Sequence, residues 1–196
     1  MTIPLVLVHG LWDDPRLFRR LQERLAGRLP DLYAPHLSHR CGATPLPVLA
    51  DRLGTLVEER YGPGRPIDLL GFSMGGVIAR QWLQRLGGHR RTRRFFSVGS
   101  PQNGTLTAQP WPGWLVAGIA DMKRGSPLLR RLNDDLSSLE EVECHSYVGR
   151  FDHMVIPPGS GVLPLGSSTR LPVWNHRNLI RDRRALDVLV QDLLRP

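Results

Sequence analysis

The chain has 196 residues, 41% hydrophobic and 22% charged, which suits one globular domain over residues 1–196 and excludes a disordered or collagen-like polypeptide. Its 26 Lys and Arg outnumber 18 Asp and Glu for a formal charge of +8, and every one of those cations except Lys123 is Arg. At this length roughly 70% of the unfolded surface can be buried, so Cys41 and Cys144 are not needed as staples; without ligand spacing they read as reduced thiols, which points to the cytoplasm. Ile3 to Val8 is an apolar run of strand length, closed by His9-Gly10, with no basic leader, so it reads as a strand rather than a signal peptide. Leu17, Leu21, Leu25 and Leu29 follow at helical spacing, and Asp31 to Leu37 is a short turn-bounded strand. Thr44-Pro45 opens a helix with an apolar stripe of Leu49, Leu53, Leu56 and Val57, stopped at Gly62-Pro63-Gly64.

The alternation continues with a strand over Pro66 to Phe72, a helix over Ser73 to Leu86 and a strand over Arg94 to Gly99 after the Gly87-Gly88 stop. Repeated strand–helix units imply parallel pairing with right-handed crossovers, hence an α/β fold: an open, mostly parallel sheet of about six strands with helices on both faces. Ligands then bind at the carboxyl ends of the strands. From Ser100 to Leu139 the rhythm breaks into an excursion that holds Trp111 and Trp114, with a helical stretch at Leu115 to Met122. Trp114 to Ala120 is the longest apolar run there, far short of the ~20 residues of a membrane span, so no transmembrane segment is expected. Val142 to Val148 and Thr169 to Trp174 are the last strands, and Arg181 to Leu194 is a terminal amphipathic helix.

Gly71-Phe72-Ser73-Met74-Gly75 stands where a strand ends and a helix begins, the setting that a G-x-S-x-G nucleophile elbow requires. A serine hydroxyl needs a general base, and that base needs a carboxylate to hold its tautomer. Among seven histidines, His176 falls in the loop between the last strand and the last helix, whereas His153 directly follows the preferred acid and would be aimed away from it. That acid is Asp152, which follows the Val142 to Val148 strand and so reaches the same sheet edge. Donors for a developing oxyanion are expected from the backbone of Met74, after the serine, and of Leu11, in the Gly10-Leu11-Trp12 turn after the first strand.

These motifs, together with Gly99-Ser-Pro101-Gln-Asn-Gly104-Thr105 and Asp152-His-Met-Val155, resemble the α/β-hydrolases of the lipase and esterase type, in particular the small single-domain triacylglycerol lipases. The resemblance spans nearly the whole chain, departs at Gln102, where many such lipases carry His, and implies a minimal version of the fold without two leading antiparallel strands. It also suggests that residues 101–140 form a lid or an acyl groove, with Trp12, Trp111 and Trp114 as substrate-binding residues. The alternative for that segment is a plain covering helix.

The expected activity is hydrolysis of carboxylic esters by Ser73, His176 and Asp152, with no cofactor and a small-molecule or lipid ester as substrate. A thioesterase or acyltransferase on the same residues, and a non-catalytic interaction domain, are the alternatives. His36-x-x-His39-x-Cys41 lacks a fourth zinc ligand and is placed instead at the rim of the pocket. His89 to Arg94 is densely basic but lies at the opposite sheet edge, so nucleic acid is not expected as a partner. Attraction to anionic lipid surfaces or to phosphorylated partners is what such charge leaves open, and nothing in the sequence sets an oligomeric state.

Overall fold

A computed structural model describes residues 3–195; Met1, Thr2 and Pro196, the ends of the expected domain, lie outside the described residues. Six strands form one sheet in the order β2-β1-β3-β4-β5-β6: β1 (Leu5–Val8), β2 (Leu32–Tyr33), β3 (Ile67–Phe72), β4 (Thr92–Val98), β5 (Glu143–Gly149) and β6 (Ser167–Leu171). Every pairing is parallel, so the expectation of a mostly parallel sheet tightens to an all-parallel one among the described residues. Seven α-helices accompany it: α1 (Arg19–Leu25), α2 (Leu46–Tyr61), α3 (Met74–Arg85), α4 (Ala117–Ala120), α5 (Pro127–Asp134), α6 (Ser137–Glu140) and α7 (Arg183–Leu193).

The period of two along each strand decides which face each helix covers. Val6, Val8, Leu69 and Phe95 join one core with α2, α3, α5 and α6. Leu5, Leu7, Leu70, Phe72 and Phe96 join the other with α1 and α7. The chain leaves β1 toward β2 and then crosses back to β3, so β1 and β3 flank the topological switch, and the crevice beyond their carboxyl ends is where such a sheet accepts a ligand.

Differences from the sequence reading have local causes. The helix expected around Leu17 to Leu29 is split, because Asp14 caps a 3₁₀ turn at Pro15–Phe18 before α1, and Gly27 at φ 77° ends it. The helix expected over Leu115 to Met122 shrinks to α4, while α5, capped by Ser126 with Pro127 in its first turn, carries three buried leucines that the sequence reading left inside the excursion. The last strand ends at Leu171 rather than Trp174.

The excursion is anchored to the sheet through α3. Arg80 is fully buried and donates to the carbonyls of Gln102 and Leu132, to Asn133 Oδ1 and to Gln84 Oε1 at 2.7–3.0 Å. Burial away from water pushes its guanidinium down to about 10. The basic cluster at the far edge is likewise engaged within the fold: Arg93 and Arg94 grip buried Asp68, and Arg91 bonds the carbonyls of Gly62 and Arg65.

Candidate active site

Ser73 sits on the bend between β3 and α3 at φ 55° and ψ −128°, a conformation that costs a non-glycine residue of order 1–3 kcal/mol. The bend survives because the chain crosses other backbone there without side chains. A Cβ on Gly75 would run into the carbonyl of Val8, and one on Gly10 would lie 2.9 Å from the Ser73 Cβ. Met74 is the first residue of α3, so its N–H belongs to the turn of amides that a helix leaves without an internal acceptor, at the positive end of the helix dipole.

Asp152 and His176 meet from two different loops. Asp152, 5% exposed, accepts from the amides of Met154 and Val155 through Oδ1 at 2.8 and 3.0 Å, which fixes the plane of its carboxylate. Its Oδ2 lies 2.7 Å from His176 Nδ1. A carboxylate only accepts, so Nδ1 carries the proton and a neutral imidazole presents a bare lone pair at Nε2. Nε2 is buried and has no hydrogen-bond partner among the described residues. The ring is held by Phe72, with centroids 5.0 Å apart, and Gly99 clears space beside it, since a Cβ there would lie 3.2 Å from Cε1. The Asn175 side chain caps the short turn that His176 opens.

Ser73 and His176 both line one cavity of about 320 Å³. Leu11, Trp12 and Asp13 wall it from the turn after β1, Trp111, Ile119 and Met122 from the excursion, and His153, Met154 and Val155 from the loop after β5. The wall is mostly apolar with a few polar groups, the common character of small-molecule pockets. Trp12 and Trp111, both expected near substrate, touch edge to face at 6.4 Å. The structure does not bring Trp114 there: it is 88% exposed, and no part of the cavity wall comes from it. Its position in a surface loop, not in a helix packed on the sheet, accounts for the difference.

His36, His39 and Cys41 do not line the cavity either. His36 and His39 lie against the ring of buried His9, which receives the Leu37 amide at Nε2 and donates from Nδ1 to the Gly10 carbonyl, both at 3.1 Å. Burial holds the His9 pKa below the ordinary histidine value, with Gly10 opposing and the neighbouring histidines reinforcing. His9 is thus a structural hydrogen-bonder, and the amides that orient Asp152 and the Phe72 wall are functional contacts that sequence reasoning missed. The signal for the former was an aspartate followed by a turn.

A family model described as the alpha/beta hydrolase family matches residues 5–192. No curated protein matches the chain in sequence. Among solved structures, the mature Bacillus licheniformis lipase BlEst2 superposes with a TM-score of 0.77 at 16% identity, over 100% of this chain and 93% of that one. A monoacylglycerol lipase from Paleococcus ferrophilus gives 0.75 at 14% identity, over 99% and 96%. Aspergillus fumigatus lipase B gives 0.80 at 15% identity, over 99% of this chain but only 53% of its own. With the match spanning nearly the whole chain, the protein belongs to the alpha/beta hydrolase family.

Proposed function

We propose that the chain hydrolyses carboxylic esters through an acyl-enzyme. Ser73 attacks the carbonyl carbon, His176 takes its proton at Nε2 and returns it to the leaving alcohol, and Asp152 holds the imidazole in that tautomer. The amides of Leu11 and Met74 receive the developing oxyanion, a contribution of roughly 3 kcal/mol for each donor in comparable sites. Water then clears the acyl group by the same route in reverse. The observation that supports this reading most is the buried, unpaired Nε2 of His176, whose other nitrogen is held by Asp152 while the ring opens onto the cavity that Ser73 lines.

The mainly apolar cavity and the aromatic contact of Trp12 with Trp111 favour a lipid-like acyl chain over a polar one. The same three residues would serve a thioester or a different acyl acceptor. A fluorophosphonate probe tests the mechanism: labelling of the wild type, lost in Ser73→Ala, is expected, and an unlabelled wild type that is folded and monodisperse discards it. A panel of p-nitrophenyl esters and acyl thioesters of graded length then reads out the leaving group and acyl preference.

A further inference from the structure

A second cavity, of about 480 Å³, is lined by Arg16, Leu17, Arg19, Arg20 and Arg181. All four arginines are solvent-exposed, and the like charges that they bring to one space find few carboxylates in the fold. Arg19 has only a distant, solvent-exposed partner in Glu23, at 3.6 Å. Arg16, Arg20 and Arg181 have no carboxylate partner among the described residues. The nearby acids are occupied: Asp14 accepts from the Arg16 amide, Asp13 pairs with Arg177, and Asp182 with Arg184. Arg20 donates to the Arg181 carbonyl, whereas the Arg16 and Arg181 side chains hold nothing in the fold.

This cavity is walled by the same two segments as the candidate active site. The segment that leaves β1 and enters α1 supplies Leu11 to Asp13 to one and Arg16, Leu17, Arg19 and Arg20 to the other; the segment after β6 supplies His176 and Arg177 to one and Arg181 to the other. The Asp13–Arg177 pair, at 2.8 Å, ties those segments together. Asp13 and Arg16 are three positions apart and Arg177 and Arg181 four, so neighbouring stretches of the same two segments bound both cavities.

We propose that the arginine-lined cavity is a phosphate subsite, which receives a phosphate group borne either by the ester substrate or by the headgroups of an anionic lipid surface. Planar guanidiniums suit phosphate oxygens through paired hydrogen bonds, and an anion offsets the like charges of the four. The double variant Arg16→Gln/Arg181→Gln isolates the site, because neither side chain bonds within the fold and neither belongs to the proposed catalytic machinery.

Titration calorimetry with inorganic phosphate at low ionic strength is expected to show saturable binding by the wild type. The double variant should bind about tenfold or more weakly, while p-nitrophenyl acetate turnover stays unchanged. Absence of saturation, or equal binding by the variant, overturns the proposal. Because phosphate binding needs no turnover, that failure is distinct from failure of the ester-hydrolase reading.

Two further arms assign the source of the phosphate; the first rests on that reading. If it is substrate-borne, the wild type prefers a short, monomeric acylglycerol phosphate over the matching acylglycerol, and the variant loses that preference. If it belongs to a surface, the variant instead loses binding to diether phosphatidylcholine vesicles containing diether phosphatidic acid. A variant unchanged in both arms overturns a role in substrate recruitment.

Discussion

At Ser73 the backbone bend and the proposed chemistry make opposite demands on the residue. A φ of 55° suits glycine, yet the mechanism needs a hydroxyl there. Ser73→Ala should therefore fold normally and lose p-nitrophenyl ester turnover by about a thousandfold or more. Ser73→Gly, equally inactive, should be more stable than Ser73→Ala by about 1 kcal/mol, because alanine keeps the strain that glycine relieves. Equal denaturation midpoints for the two would show that the bend stores nothing. His9 carries a second residue-scale consequence. Its pKa is lowered in the fold, so between that value and the ordinary 6.5 the unfolded chain binds more protons than the native one. Its contribution is complete above pH 6.5 and falls as pH drops through that window. His36, His39 and Asp13 face it and modulate the slope. The melting temperature should decline on acidification below pH 6.5, and His9→Gln, though less stable at neutral pH, should decline less steeply.

At the scale of elements, Arg80 explains why the excursion between β4 and β5 is not a free flap. Its fork joins α3, which carries Ser73 at its head, to Gln102 at the start of the excursion and to Leu132 and Asn133 at the end of α5. Arg80→Ala strips these carbonyls of a charged donor and should cost roughly 3 kcal/mol. Hydrogen exchange should rise first within residues 101–140, and uniform protection there would refute the anchoring. Nothing in the sequence pointed to Arg80, since an arginine on an amphipathic helix reads as solvent-facing and only the covering excursion buries it. The strands and long helices were legible because their apolar residues repeat with periods near 2 and 3.6 and end at Gly or Pro. The excursion was not, because its short helices have too few turns to show a period.

At the scale of the whole molecule, the exposed apolar side chains are unevenly distributed. Of the large hydrophobic residues exposed among the described residues, only Val48 and Leu86 lie outside the segments that leave the carboxyl ends of the strands. Trp12, Leu106, Trp111, Trp114, Leu115, Phe151, Ile156 and Trp174 all follow β1, β4, β5 or β6. No helix is long and apolar enough to cross a membrane among those residues. Under the proposed ester-hydrolase reading, this collection of exposed apolar side chains would offer shallow contact to an aggregated substrate. Trp114 separates that role from binding in the cavity, because it is outside the wall and 88% exposed. Trp114→Ala should leave kcat/KM on a soluble short-chain ester within about twofold of wild type, with no loss of stability. On an emulsified long-chain ester the lost insertion of one large apolar side chain, worth about 1.4 kcal/mol, should lower activity about tenfold at limiting surface area. Equal losses on both substrates would place Trp114 in the reacting cavity instead, and no loss on either would mean that the aromatic edge meets no lipid.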